Sequence, residues 1–121
     1  MCGRYTLATD AHALVDLFEI EHLLFDPSQY RPHYNIAPSQ AVPIVRWTQS
    51  GRELVLARWG LVPHWSREPR TKYSTINARA ETVAERPSYR DAFKHKRCLI
   101  PANGFYEWQP AGARKQPYWI H

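Results

Sequence analysis

The strongest constraint on the fold lies in the middle of the chain. Two apolar runs, residues 42–47 and 53–59, flank Gln49-Ser50-Gly51. Runs of this length on either side of a short glycine-containing turn predict a β-hairpin. A lone hairpin is marginal in water, so the rest of the chain has to supply further strands or helices to pack on it.

Those elements are legible on both sides. Residues 4–7, Arg-Tyr-Thr-Leu, read as a short strand. Asp10 is placed to cap a helix running to about residue 24, with Leu14, Leu17 and Phe18 on one face at i, i+3, i+4 spacing. Asp26-Pro27-Ser28 ends it. Residues 28–41 are rich in proline and serine and read as an ordered loop or a linker. Residues 59–65 form an aromatic, turn-rich loop, and residues 66–73 are polar and basic, hence exposed. Residues 75–79 read as a strand with Asn77 and Arg79 on one face. Residues 88–96 read as a helix and 98–100 as an apolar strand closed by Pro101. Residues 105–108 and 118–120, around Pro-Ala-Gly, read as a second hairpin. There is no internal repeat. The last of these strands runs to His121 without a closing turn or cap, so one domain over 1–121, truncated at its C-terminal side, is the expectation.

Composition narrows the class. At 121 residues, with 44% apolar and 22% charged residues, the chain reads as one globular domain. Mean hydropathy is −0.56, and no apolar run approaches the ~20 residues of a membrane span. No basic-then-apolar leader is present, and two cysteines do not make a disulfide framework. A reducing, cytoplasmic setting is expected. Arginine supplies 12 of the 16 basic residues behind a net charge of +5. Its planar fork suits phosphate and stacks on bases. With five tryptophans and seven tyrosines, that mixture fits single-stranded nucleic acid, as does a pI of about 9.5.

Chemistry concentrates at Met1-Cys2-Gly3-Arg4. Methionine-trimming enzymes accept small second residues, so Cys2 can become a terminus with an amine and a thiol on adjacent carbons. Its α-amine has a reference pKa of ~7.7–8.0, against ~10.4 for lysine, so a useful fraction is nucleophilic near neutral pH. A cysteine thiol, ordinarily at ~8.5, can be shifted down by nearby positive charge, and Arg4 is the candidate here. The bland alternative is an incidental cysteine on a first strand. Asn77 could hold the Cys2 amine or an incoming aldehyde oxygen, and Glu107, between Tyr106 and Trp108, could shuttle protons. Against these stand a turn role for Asn77 and a solvent-facing Glu107. Cys98 lies in an apolar run and reads as a core residue. His12, His22 and His95 read as solvated helix residues, whereas His33 and His64 sit in loops where they could touch a ligand. No CxxC or HExxH spacing occurs, so no metal is expected. A P-loop and a dinucleotide fingerprint are also absent, and no cofactor is expected.

Six motifs follow one another in order: Met-Cys-Gly-Arg-Tyr, Tyr34-Asn35-Ile36-Ala37-Pro38, Trp59-Gly60-Leu61-Val62-Pro63 with Trp65, Ile76-Asn77-Ala78-Arg79-Ala80-Glu81-Thr82, Arg97-Cys98-Leu99-Ile100-Pro101-Ala102 and Gly104-Phe105-Tyr106-Glu107-Trp108. Through essentially its whole length the chain resembles the SRAP (SOS response-associated peptidase) family. The resemblance implies an α+β fold, a mixed, largely antiparallel and barrel-like β core with flanking helices, of which this would be the N-terminal half. It implies an abasic-site sensor in the DNA damage response that traps the ring-opened sugar of single-stranded DNA as a thiazolidine on Cys2. It further implies that Asn77 orients the reacting groups and Glu107 shuttles protons. Arg79 would hold a phosphate with Arg4 nearby, Asn35 and Trp108 would line the DNA surface, and Pro38 and Trp65 would wedge the bases.

One departure accompanies the resemblance. The family's histidine, in a His-x-Arg-Met-Pro-like motif of the second half, has no counterpart here, and His121 is not its equivalent. Two other readings remain open. Glutamine amidotransferases also begin Met-Cys-Gly, which would make Cys2 an amidase nucleophile. A non-catalytic module for single-stranded DNA would not need Cys2 at all. Oligomeric state is left open by the sequence.

Overall fold

The computed structural model describes residues 2–68 and 74–121. In chain order the elements are β1 (Arg4–Leu7), α1 (Ala11–Leu17), β2 (His22–Leu23), a 3-10 turn (Pro27–Gln29) and β3 (His33–Ile36). They continue with β4 (Ala41–Thr48), β5 (Gly51–Arg58), α2 (Arg90–His95), β6 (Gly104–Ala111) and β7 (Arg114–Ile120). The class is α+β, with mostly antiparallel pairing. The sheets are open rather than barrel-like: one has the order β3-β1-β6-β7 and the other β2-β5-β4.

The central hairpin forms as read. β4 and β5 pair antiparallel from Ala41↔Arg58 to Thr48↔Gly51. Gly51 takes φ +118°, and a side chain there would strike the Glu21 carboxylate. Glu53 is buried beside the turn, where Arg46 Nε donates at 2.7 Å and the Thr48 hydroxyl at 3.1 Å. Arg46, foremost, holds this carboxyl below its usual range.

One core joins both sheets. Tyr5, Leu7, Leu14, Ile36, Val42, Val45 and Leu54 form it, drawn from β1, α1, β3, β4 and β5. Burying a side chain such as Leu54 contributes roughly 1.5–3 kcal/mol.

Tertiary demands redrew several local expectations. Asp10 caps α1 as expected, accepting from the Ala13 N–H at 2.9 Å. The helix nevertheless stops at Leu17 rather than near residue 24, and Glu19 adopts φ +50°. The next residues are needed elsewhere: Ile20 and Leu23 pack on the core, and β2 pairs parallel with β5. Leu17, expected on the apolar face, is 71% exposed. The proline-rich stretch carries β3, paired with β1, so it is part of a sheet and not a linker. α2 is shorter than residues 88–96. Residues 98–100 contribute only a bridge, Leu99 to Val45, with main-chain bonds of 2.8 and 2.9 Å. Cys98 is correspondingly exposed rather than in the core, although the apolar surroundings of its thiol push its pKa up. No strand forms at 75–79. That segment is held as a loop by Thr75 Oγ1 donating to the Leu61 carbonyl at 2.6 Å and Trp59 Nε1 donating to the Ile76 carbonyl at 3.2 Å. Of the basic stretch 66–73, residues 69–73 lie outside the described residues, while Arg67 and Glu68 are exposed.

The second hairpin is longer than expected, pairing Phe105↔Ile120 through Ala111↔Arg114. β1 seats it by pairing Arg4↔Tyr106, Tyr5↔Phe105 and Thr6↔Gly104. Gly104 is required there, since a Cβ would collide with the Trp119 indole and the Ile120 carbonyl. The same indole donates to Thr6 Oγ1 at 3.2 Å.

Candidate functional site

Cys2 is half-buried and is separated from β1 by Gly3. Its thiol donates weakly to the Arg4 carbonyl, with sulfur and oxygen 3.4 Å apart. Its own carbonyl accepts from Asn77 Nδ2 at 2.8 Å, a contact spanning 75 positions of sequence. The expected neighbourhood of Cys2 and Asn77 therefore exists, but loop geometry produces it and not the face of a strand.

Asn77 stands between two cavities. One, of about 630 Å³, is mainly apolar and includes Cys2, Tyr5, Trp59, Ile76 and Phe105 in its wall. The other, of about 640 Å³, is mixed in character and is lined by Arg79, Thr82, Arg86 and Tyr89 beside Asn77. Arg79 and Asn77 thus share a pocket wall and not the expected strand face. Arg86 and Tyr89 were not singled out by sequence reasoning; no local pattern distinguishes an arginine or tyrosine on a pocket wall from one on a solvated turn.

Tyr5 is a further residue that pattern reading passed over. It is 6% exposed, and its hydroxyl, buried among the described residues, has no hydrogen-bond partner. Its ring meets Trp59 edge-on, centroids 5.4 Å apart. Burial first, and the neighbouring Cys2 second, push its pKa up to about 12. The phenol therefore stays protonated at neutral pH and can only act as a donor or neutral acceptor.

The outer face of the first sheet gathers the other expected residues. Arg4 donates to Asn35 Oδ1 at 2.8 Å, joining β1 to β3. Tyr106, opposite Arg4, donates its hydroxyl proton to the Tyr34 carbonyl at 3.0 Å. Trp108 leans on Tyr106 with centroids 6.4 Å apart and is 39% exposed. Glu107 is half-buried between them in β6. Strand alternation turns it to the side of Phe105, which shares the apolar cavity with Cys2.

The two wedge candidates sit on turns. Pro38 is half-buried just after β3, followed by Ser39 at φ +73°. Trp65 is 59% exposed in the 61–68 loop. That loop is tied to the Asn77 segment by the Leu61 N–H donating to the Thr75 carbonyl. His33 and His64 are absent from the walls of both cavities. His33 Nδ1 accepts from the Asn35 N–H at 3.1 Å, and His64 Nδ1 lies 3.7 Å from Asp91. The His33 contact is local, and the His64 contact reaches α2. Among the described residues no group of three His, Cys, Asp or Glu side chains could hold a metal, and no helix is long and apolar enough to cross a membrane.

The model of the family described as "SOS response associated peptidase (SRAP)" matches residues 1–121. The chain belongs to the SRAP family. Among its SRAP relatives, an "abasic site processing protein", YoaM of Bacillus subtilis, is 43% identical over 109 residues, covering 90% of this chain and 48% of the relative. A protein of the same description from Xenopus tropicalis, HMCES, is 39% identical over 108 residues, 79% of this chain and 32% of the relative. The chain thus spans about half the length of the bacterial SRAP relative. A crystal structure of a Bacteroides thetaiotaomicron protein superposes with a TM-score of 0.80 at 27% identity, over 98% of this chain and 53% of the other. A phage-related protein from Bordetella bronchiseptica gives 0.72 at 31% identity, over 99% and 55%. The fold of this chain is thereby shared with about half of each of those structures.

Proposed function

We propose that this protein processes abasic sites in single-stranded DNA by trapping the ring-opened sugar on Cys2, acting in the cytoplasm at the nucleoid. The observation that carries the reading is the bond from Asn77 Nδ2 to the Cys2 carbonyl. It ties Cys2, which lines the apolar cavity, to Asn77, which lines both that cavity and the arginine-bearing one. The names of the SRAP relatives point to the same lesion.

The chemistry balances without a cofactor. Once Met1 is removed, the Cys2 amine adds to the C1′ aldehyde, and the carbinolamine loses water to give an imine. The thiol sulfur then adds to the imine carbon, and its proton goes to nitrogen. The product is a five-membered thiazolidine, one water lighter than the reactants. Glu107, on the cavity side of β6, serves as the proton shuttle for dehydration and ring closure. Arg79 and Arg86 take phosphates, while Tyr106 and Trp108 offer stacking surface next to Arg4 and Asn35. Pro38 and Trp65 enter as wedges around the lesion.

Intact mass after mixing the Met1-trimmed protein with abasic single-stranded DNA tests the reading. The expected product has the mass of protein plus DNA less one water, and Cys2→Ala eliminates it. A Cys2→Ala protein that cross-links as stably as wild type would overturn the mechanism. Release of ammonia from glutamine, lost in Cys2→Ala, would favour the amidase instead.

A further inference from the structure

We propose that Tyr89 is a positioning residue for Cys2, acting through Asn77; this rests on the reading of Cys2 as the aldehyde trap. The Tyr89 hydroxyl donates to the Asn77 main-chain carbonyl at 2.8 Å. The Asn77 side-chain amide donates in turn to the Cys2 carbonyl at 2.8 Å. Asn77 lies in neither helix nor strand, so no ladder or helical bond orients its backbone.

The loop is anchored at both ends. Upstream, Trp59 Nε1 holds the Ile76 carbonyl. Downstream, the Arg79 carbonyl accepts from the N–H groups of Thr82 and Val83. Between these anchors, the peptide that carries the Asn77 carbonyl is set by Tyr89. Tyr89 is itself well held: its N–H donates to the Arg86 carbonyl at 2.9 Å, and its carbonyl accepts from the Phe93 N–H at 2.8 Å, at the entry to α2.

Tyr89 lines the second pocket together with Arg79 and Arg86. Tyr89 is therefore linked to the reacting terminus by two hydrogen bonds in series, from within the pocket that both arginines line. Misplacement of a nucleophile by a fraction of an ångström slows attack without weakening binding of the rest of the substrate. The active group is the hydroxyl alone. A phenylalanine would keep the pocket wall and lose the relay.

Tyr89→Phe in the Met1-trimmed protein tests this. Affinity is measured with single-stranded DNA carrying a tetrahydrofuran abasic analogue, which has no aldehyde. Cross-linking is measured at saturating abasic DNA. Tyr89→Phe is expected to leave affinity within about twofold and to slow cross-linking about three- to tenfold, the effect of one neutral hydrogen bond. In an Asn77→Ala background the same change should do nothing further, because the relay is already cut. An unchanged rate, an equal loss in both backgrounds, or a loss confined to affinity would each overturn the proposal. Solvent exchange of the Asn77 side-chain amide protons, followed by NMR, gives a readout independent of the chemistry. It should quicken in Tyr89→Phe, and unchanged exchange would overturn the relay. A wild-type protein that forms no adduct would overturn the aldehyde trap, and the amide exchange would still decide the role of Tyr89.

Discussion

The two long hairpins of this protein are built alike and treated differently. β4–β5 pairs in register over eight residues per strand, and β6–β7 over seven pairs. The first places Val42, Val45 and Leu54 in the core. The second leaves Tyr118 52%, Trp119 47% and Ile120 44% exposed. Local pairing therefore does not determine burial; the layer opposite does. The buried hairpin supplies core residues, and the exposed one carries Glu107, the proposed proton shuttle, between the proposed stacking residues Tyr106 and Trp108. If the proposed role of Glu107 holds, stability and proton transfer fall on different hairpins, which makes the division testable.

The largest effect should come from the exposed hairpin. Glu107→Gln keeps shape and removes a proton carrier, so adduct formation should slow by ~10²–10⁴-fold. Affinity for abasic DNA and the unfolding midpoint should barely move. A wild-type rate at saturating DNA would strip the hairpin of its catalytic part.

Stability should respond in the opposite pattern. Leu54→Ala is expected to cost about 2–5 kcal/mol in urea unfolding, the range for emptying a well-packed leucine site. Ile120→Ala should stay near 0.5 kcal/mol, as for surface changes. Similar losses at both positions would mean that β7 is covered in solution.

Alkaline pH probes the core face from another side. Tyr5 and Tyr30 both have pKa values pushed up to about 12 from 10.0, by burial first in each case. A raised acid binds its proton more tightly when folded, so its contribution is complete below pH 10 and is lost as pH rises towards 12. Unfolding free energy should be insensitive to these groups at neutral pH and should fall across that window. Tyr5→Phe should flatten the fall. An undiminished slope in Tyr5→Phe would place the titrating group elsewhere.

The smallest effect concerns the pocket beside Asn77. Arg79→Ala should weaken DNA binding modestly and make its salt dependence shallower by ~0.7 in log–log slope, one phosphate on a single strand. Weaker binding at an unchanged slope would show that Arg79 is not a phosphate ligand.

What the sequence by itself determined was whatever depends on near neighbours. Asp10 caps α1 because its carboxylate needs only the N–H three residues on. Gly51 turns the central hairpin because that turn needs positive φ. The motif order carried the family, since it is written in residue identity. The tertiary structure decided where those elements stop and which loops meet. α1 ends at Leu17 because Ile20 and Leu23 gain more from the core and from β5 than from another helical turn. Cys98, apolar in its local context, is exposed next to a bridge between Leu99 and Val45 that no local pattern announces. Asn77 reaches Cys2 from a loop, across 75 positions, and Tyr89 reaches Asn77 from the entry to α2. Such contacts have no periodicity to read. They are set by how two sheets share one core, and that depends on residues far apart in the chain.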